Sequence, residues 1–393
     1  MISFEEAFVL TTTCIEPTDR EVIALEDCIG RILALDITSD TDMPPFDKAA
    51  VDGYACRRED IADGVVLPVV EVVSAGKVPV NEITKGVCSK IMTGAMLPSG
   101  ADCVVMVEQT ETEREAFVRI VDARTKDNIA RKAEDVSFGQ KVLQSGTLIG
   151  PQQMAVLASV GAAQVSVHKR VKVCVFSTGD ELVEPDQLLT KGKIRNSNAV
   201  QLMAQAQRMG AEASYGGIIA DNETEIRTRI MGGLQTNQVL ILSGGISMGD
   251  FDYVPGILEE LGMKILFKTI AVQPGKPTVF ARNENSFVFA LPGNPVSSFN
   301  IFELLAKPFL YRLMGHEFAV PVLRLPLAAT YTRKAKQRLG FVPSLINAQG
   351  EVVPISYHGS AHIHALSFAQ ALMQVPLGTE TIEKGEFVDV RLI

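Results

Sequence analysis

Between residue 171 and residue 314 short apolar runs alternate with helical stretches, and that alternation restricts the fold more than any other feature of the chain. The runs at 171–176, 213–219, 238–242, 264–270 and 286–291 read as strands, and 198–209, 223–234, 253–261 and 296–314 read as helices. Strands interleaved with helices in this order predict βα units and a mostly parallel sheet. The full chain has 393 residues, enough for two to four domains of ordinary size.

The flanking segments follow different patterns. Ser3 and Glu6 make a capping box in front of Ala7-Phe8-Val9-Leu10, which predicts a short opening helix. From 65 to 121 β-branched runs alternate with glycine and proline, at 65–70, 86–91 and 101–107, and predict a small β-rich domain. A second β-flavoured piece surrounds 139–146, followed by a helical run at 154–159 and a strand-like one at 163–168, where the chain returns toward its first domain. Beyond Val320 the strands are short and the turns explicit, as in Ala348-Gln349-Gly350 and Glu383-Lys384-Gly385-Glu386. That pattern predicts a terminal all-β domain of about 75 residues.

Composition narrows the function classes. With 47% apolar and 21% charged residues the chain is an ordinary globular protein, and a net charge of -9 makes it a poor general binder of nucleic-acid backbone. The six cysteines form no CxxC pair and no zinc spacing, so they read as reduced thiols in a cytoplasmic protein. The start lacks a basic segment followed by an apolar one, so no secretory signal is expected. The uncharged stretch 144–167 contains Pro151, several glutamines and three glycines, unlike a membrane helix.

In open α/β sheets ligands gather at the carboxyl ends of the strands, so the residues after each strand carry the functional information. Here they are Ser177-Thr178-Gly179-Asp180-Glu181, Ala220-Asp221-Asn222, Ser243 to Asp252, and Pro292-Gly293-Asn294-Pro295-Val296-Ser297. Glycines let backbone N–H groups approach a phosphate, so four such loops on one edge predict a phosphorylated ligand. Asp180, Glu181, Asp221, Asp250 and Asp252 bring carboxylates to the same edge, where Mg²⁺ would share phosphate oxygens. Helix capping is the competing explanation for Asp221, which precedes Asn222 and Glu225, and for Asp252. Lys276, in the Gln273-Pro274-Gly275-Lys276-Pro277 turn, supplies positive charge suited to an anion. Arg338 and the Gly359-Ser360 pair lie in the terminal domain, and their sequence positions leave open whether they reach the same cleft.

Other motifs carry less. His362 and His364 are expected on one strand face, with His358 nearby, but no cysteine or carboxylate completes a zinc set. Gly245-Ile246-Ser247-Met248-Gly249 matches a nucleophile-elbow string, yet Asp250 and Asp252 intervene before the helix. No P-loop or HExxH motif is present.

Taken as a set, Pro44-Pro45-Phe46-Asp47, Val51-Asp52-Gly53-Tyr54-Ala55, Met92-Thr93-Gly94-Ala95, Ser177-Thr178-Gly179-Asp180-Glu181-Leu182, Ser243-Gly244-Gly245, Pro274-Gly275-Lys276-Pro277 and Leu291-Pro292-Gly293-Asn294-Pro295 resemble the MoeA family of molybdopterin molybdenumtransferases, which includes the gephyrin E domain. The resemblance runs along nearly the whole chain. It implies a multidomain α/β and all-β protein with four regions: 1–42 plus 137–168, β-rich 43–136, a MogA-like α/β domain at 169–316, and a C-terminal β domain at 317–393. It further implies a cytoplasmic homodimer that inserts molybdate into adenylylated molybdopterin with Mg²⁺ and release of AMP.

Residue by residue, the resemblance implies a catalytic role for Glu181, Asp52, Thr93 and Asp135, with Asp52 and Thr93 reaching a site shared with the partner subunit. It implies an oxyanion pocket of Ser247, Lys276, Arg338 and Ser360, substrate contacts from Gly244, Gly245, Pro292, Gly293 and Asn294, and metal contacts from Asp221 and Asp252. Gln273 stands where some relatives carry a second lysine, and tungstate is not distinguished from molybdate. An adenylyltransferase partner of the MogA type is a further implied contact. Two rival readings stand beside this one: a MogA-like adenylyltransferase that consumes ATP, and a non-catalytic scaffold.

Overall fold

The computed structural model describes residues 1–13, 15–246, 253–356 and 359–393. The chain divides into two units, one of residues 1–34, 145–150 and 165–393, the other of 35–144 and 151–164. Each is described by itself.

In the first unit the α/β segment comprises β1 (Lys172–Thr178), α1 (Ser197–Arg208), β2 (Glu212–Ile219), α2 (Glu223–Thr236), β3 (Val239–Ser243), α3 (Val254–Glu260), β4 (Lys264–Thr269), β5 (Pro277–Arg282), β6 (Phe287–Leu291), α4 (Pro295–Ile301) and α5 (Lys307–Leu313). The sheet order is β2-β1-β3-β6-β5-β4. The first four strands are mutually parallel, whereas β5 runs antiparallel to both β6 and β4.

Every residue of β3 and β6 is buried, as expected for central strands covered on both faces. Side chains alternate between two cores because successive residues of a strand point to opposite faces. Val173, Val175, Val239, Ile241, Phe287 and Phe289 pack with Leu202 and Ala206 of α1 and Phe309 and Leu313 of α5. Cys174, Phe176, Leu240, Leu242, Val288 and Ala290 pack with Ile226 and Ile230 of α2 and Ile257 and Leu258 of α3.

Two local differences from the sequence reading have physical causes. The stretch 296–314 is not one regular helix: between α4 and α5 a π-turn spans Phe302–Ala306, with the Lys307 N–H bonded to the Phe302 carbonyl. Pro308 follows it, and proline has no N–H to continue the ordinary ladder. His362 and His364 are not on a strand; they lie at the start of the 3₁₀ turn Ile363–Phe368, with ring centroids 6.3 Å apart. His358 lies outside the described residues.

The terminal segment adds β7 (Val322–Pro326), β8 (Leu339–Ile346), β9 (Val352–Pro354), β10 (Ala371–Val375) and β11 (Phe387–Leu392). The sheet is antiparallel in the order β8-β10-β11-β7, with β9 paired to β8. Its remaining edge is taken by the two-residue strand Val272–Gln273, which pairs parallel with Leu339 and Gly340. The α/β segment is thereby stitched into the terminal sheet immediately before the Pro274-Gly275-Lys276-Pro277 turn. The first unit also contains the opening helix Phe4–Thr12, whose Ser3 and Glu6 form the expected capping box.

The second unit is built on a six-stranded sheet ordered Cys103–Met106, Gly53–Cys56, Cys88–Ile91, Val66–Val73, Phe117–Ile120 and Thr110–Arg114. Its core gathers Tyr54, Cys56, Leu67, Cys88, Cys103, Val105, Val118 and Ile120. The helix Pro151–Ser159 belongs to the same unit. Among the described residues, no helix is long and apolar enough to cross a membrane.

Candidate functional site

Two cavities open at the carboxyl edge of the parallel strands, and both are lined wholly by residues of the first unit. The first has a volume of about 810 Å³ and is bordered by Thr178, Gly179 and Glu181 after β1, Asp221 after β2, Ser243, Gly244 and Gly245 after β3, and Pro292, Gly293 and Asn294 after β6. All four strand-end loops therefore contribute to one space, together with Asn196, Ser197 and Asn198 at the start of α1.

Hydrogen bonds hold these loops in register. Asn198 Nδ2 donates to Ser243 Oγ at 2.7 Å and to the Gly293 carbonyl at 2.7 Å, joining the loops after β3 and β6. The Gly244 N–H donates to the Leu291 carbonyl at 3.0 Å. The loops after β1 and β2 clasp each other: Asp221 N–H donates to Asp180 Oδ1 at 3.1 Å, and Asp180 N–H to Asp221 Oδ2 at 3.4 Å. The Glu181 carboxylate folds over Gly179, where a Cβ would lie 2.4 Å from Glu181 Oε2. Gly179 has φ +146°, and only glycine leaves room for that close approach.

The second cavity, also about 810 Å³, lies between the α/β segment and the terminal sheet. Gln273, Lys276 and Ser297 line it from one side, and Tyr331, Arg338, Ser356 and Ser360 from the other. The edge strand Val272–Gln273 explains the convergence: pairing Gln273 with Gly340 sets Arg338 beside the Lys276 turn. Arg338 Nη1 donates to the Val272 carbonyl at 3.5 Å. Ser360 is tied to the loop after β6, accepting from Asn294 Nδ2 at 2.9 Å, while its carbonyl accepts the Val296 N–H at 3.0 Å.

The antiparallel course of β5 is what brings Lys276 to this edge. Pro277 is opposite Thr269, at the carboxyl end of β4, and Val279 is opposite Ala290 of β6. The amino end of β5 thus adjoins the carboxyl ends of its neighbours. Pro277, Pro292 and Asn294 line both cavities, so the two spaces share a wall. An oxyanion beside Lys276 and Arg338 would meet two cations, and a phosphorylated ligand in the first cavity would meet polar strand ends.

The predicted site residues fall into three groups. Glu181, Asp221, Gly244, Gly245 and Gly293 line the first cavity, Lys276, Arg338 and Ser360 the second, and Pro292 and Asn294 both. Asp52, Thr93 and Asp135 belong to the second unit. There Thr93 donates to Asp52 Oδ1 through its N–H at 2.7 Å and its hydroxyl at 2.8 Å, and those bonds hold the Asp52 carboxyl below its ordinary value. Asp135 is exposed, with its N–H bonded to the Met43 carbonyl. Ser247, Met248 and Gly249 of the nucleophile-elbow string, with Asp250 and Asp252, lie outside the described residues.

Several residues of the site have no role in the sequence reading. Asn196 and Asn198 flank Ser197, and a polar Asn-Ser-Asn run at a helix start is a capping signal that also marks a cavity wall here. Thr330, Tyr331 and Thr332 reach the second cavity from the start of a two-residue strand, Tyr331–Thr332, paired antiparallel with Thr381–Ile382, and only non-local folding places them there. Two buried polar atoms, Thr178 Oγ1 and Gln273 Oε1, have no hydrogen-bond partner.

Among the described residues no cluster of three His, Cys, Asp or Glu side chains is arranged to hold a metal. The donor chemistry nevertheless fits Mg²⁺, which typically binds through one or two carboxylates with ligand phosphate oxygens and waters completing its shell. The Asp180–Asp221 clasp supplies hard oxygen donors beside the first cavity.

Family models match three successive regions: MoeA N-terminal region (domain I and II) at residues 2–161, a probable molybdopterin binding domain at 174–312, and MoeA C-terminal region (domain IV) at 326–393. A molybdopterin molybdenumtransferase of Staphylococcus epidermidis is 35% identical over 94% of this chain and 90% of its own length. One from Bacillus subtilis is 35% identical over 95% of this chain and 90% of its own. Two crystal structures of a molybdopterin biosynthesis MoeA protein from Pyrococcus horikoshii align over 100% of this chain, and over 99% and 100% of theirs, with TM-scores of 0.82 and 0.87 at 32% and 29% identity. Similarity of sequence and architecture along nearly the whole length establishes that this chain belongs to the MoeA family of molybdopterin biosynthesis proteins.

Proposed function

We propose that this protein is a molybdopterin molybdenumtransferase that takes adenylylated molybdopterin and molybdate, inserts the metal into the pterin dithiolene, and releases AMP in a Mg²⁺-dependent reaction. The observation that carries this reading is the shared wall of the two cavities. A phosphorylated substrate held by the strand-end loops would present its far end to an oxyanion held between Lys276 and Arg338. Holding both reactants in one geometry supplies much of the acceleration that a bimolecular insertion needs.

The chain's own residues then have distinct tasks. Gly244, Gly245 and Gly293 allow close approach of the phosphates, and Asn198 fixes the spacing of their loops. Lys276, Arg338 and Ser360, with Ser247, bind the oxyanion through charge-assisted hydrogen bonds and orient it toward the sulfurs. Glu181 lines the same cavity as the phosphate loops, which supports a role in orienting the adenylyl phosphate or a proton on it. Asp221 and Asp252 would hold Mg²⁺, which when bound neutralises charge on the pyrophosphate oxygens. No residue needs to form a covalent bond with substrate.

We read the active form as a cytoplasmic homodimer in which Asp52, Thr93 and Asp135 complete the site of the neighbouring subunit, with an adenylyltransferase delivering the substrate. The described cysteines are all free, which supports a reducing compartment. A solution mass near twice the 42.5 kDa chain is the expected result of light scattering.

The test of function is AMP release from adenylylated molybdopterin in Mg²⁺, with and without molybdate, followed by metal analysis of the pterin. Molybdate-dependent release with molybdenum in the product is expected. ATP turnover without added adenylylated substrate would instead identify an adenylyltransferase. Absence of both reactions from folded protein would leave a scaffold.

A further inference from the structure

Between β1 and α1 the chain makes a long excursion, residues 179–196, whose two limbs both border the first cavity. Gly179, Glu181 and Leu182 line it on the outgoing limb, and Ile194, Arg195 and Asn196 on the returning one. The limbs pair as a short parallel ribbon, Leu182 opposite Ile194 and Val183 opposite Arg195. Its tip is solvent-exposed and carries Leu188 and Leu189. A two-residue ribbon is too short to hold such a loop against a cavity without further anchorage.

Lys193 Nζ donates to the Asp180 carbonyl and Arg195 Nη2 to the Gln187 carbonyl at 3.4 Å, and a further pair of bonds, one to each limb, meets at a single atom. The Tyr215 hydroxyl, presented from β2, accepts a hydrogen bond from Asn196 Nδ2 at 2.9 Å and donates one to Glu184 Oε1 at 2.8 Å. Asn196 is on the returning limb and Glu184 on the outgoing one. Asn196 is itself fixed: its Oδ1 accepts from Ser177 Oγ at 2.9 Å, at the end of β1, and from the Ala199 N–H at 3.2 Å, capping α1. A continuous chain of hydrogen bonds therefore runs from the central sheet through Asn196 and Tyr215 to Glu184. Tyr215 and Glu184 do not line the cavity; they act on its wall through the loop that carries Glu181.

We infer that Tyr215 is a positioning residue, whose hydroxyl clamps both limbs of the 179–196 loop and so holds Glu181, Leu182, Ile194 and Arg195 in place around the nucleotide-bearing substrate. The inference rests on the function proposed above for the identity of that substrate. The clamp sets the fraction of molecules with a formed cavity wall, and apparent affinity falls in proportion to that fraction. The groups that react are untouched, so the effect belongs in KM rather than kcat.

The test compares wild type with Tyr215→Phe, which removes the hydroxyl and with it both hydrogen bonds of the clamp, and Glu184→Leu, which removes the acceptor on the outgoing limb. Steady-state AMP release should show KM for adenylylated molybdopterin raised roughly fivefold in Glu184→Leu, the size expected for one lost hydrogen bond, and at least as much in Tyr215→Phe, with kcat within about twofold of wild type in both. The double variant should be no worse than Tyr215→Phe, because that change already removes the bond that Glu184 accepts. Amide exchange at 182–195 should quicken several-fold in both variants while β1 and β3 keep their protection. Unchanged KM in both variants, or unchanged exchange in the loop, overturns the inference, and so does a lowered melting temperature with KM intact. If wild type releases no AMP, the functional reading fails, and the amide-exchange comparison still decides whether the hydroxyl clamps the loop.

Discussion

Gly244 is the position where a single methyl group should do most damage to the site. It has φ +98°, a conformation that side chains strongly disfavour, and a Cβ built there lies 2.6 Å from the Thr178 carbonyl oxygen and 2.8 Å from Thr178 Oγ1. The backbone alone costs about 1–2 kcal/mol for a residue other than glycine. The carbonyl belongs to the end of β1, which is hydrogen-bonded to β2 and β3 on its two sides, so it cannot swing aside as a flexible side chain would. Relieving such a contact by shifting packed strands costs about 1–3 kcal/mol more. Gly244→Ala should therefore lose about 2–5 kcal/mol of local stability, read as faster amide exchange along β1 and β3. The Gly244 N–H bond to Leu291 should weaken with it, and molybdate-dependent AMP release should fall at least tenfold. Gly232→Ala is the control: in α2, with no atom within 4 Å of the new Cβ, it should gain about 0.5–1 kcal/mol from helix propensity. If Gly244→Ala kept wild-type exchange rates and full activity, the assigned geometry of the loop after β3 would be wrong.

Other consequences can be measured independently. Lys276→Ala and Arg338→Ala should each raise the molybdate concentration needed for half-maximal rate by roughly tenfold, the loss expected for one charge-assisted hydrogen bond; an unchanged requirement would remove that residue from the oxyanion pocket. Asp52 should titrate below 3.8 by carboxyl NMR, and Thr93→Ala should move it part of the way back, because the backbone bond survives. The sign follows from a folded value below the unfolded one: the Asp52–Thr93 contact is fully present above the unfolded value and is lost as pH falls through the folded value, so neutral-pH behaviour is unaffected. Burial pushes the Cys103 thiol up to about 11, and its bond with Cys88 together with burial pushes Cys56 up too. Neither cysteine should react with a thiol reagent at pH 8 until the protein is denatured, as peptide mapping of the labelled chain would show; rapid labelling of the native protein would contradict the burial.

The α/β segment was readable from the sequence because its signals are local. Apolar runs bounded by Asn196, Asn222 and the glycines after β3 mark strand and helix ends without reference to the rest of the chain. The strand Pro277–Arg282 escaped that reading for an equally local reason: it opens on a proline in a turn-like Pro-Gly-Lys-Pro string, and apolar-polar alternation is absent from a strand buried along most of its length. The His362 and His364 pair was misplaced because alternation over three residues fits either a strand or a helical turn, and the Gly359-Ser360 turn before it feeds the latter. The four strand-end loops, by contrast, could be grouped from sequence alone, since parallel strands put all their carboxyl ends on one edge.

The second cavity shows where such reasoning ends. Lys276 and Arg338 are 62 positions apart in sequence (338 minus 276), and neither segment carries a signal for the other. They meet because Val272 and Gln273 leave the α/β sheet and add an edge to a second sheet, with main-chain bonds that any side chain would permit. Main-chain pairing of this kind leaves no compositional trace. It does, however, couple the two cavities mechanically: the edge strand leads directly into the turn that ends at Pro277, which lines both. A displacement of the terminal sheet would therefore act on the Lys276 turn through Gln273 and on the loop after β6 through Ser360 and Asn294. The docking of the terminal domain thus sets where Lys276 and Arg338 stand relative to each other, since Gln273 pairs with Gly340 and Arg338 bonds the Val272 carbonyl.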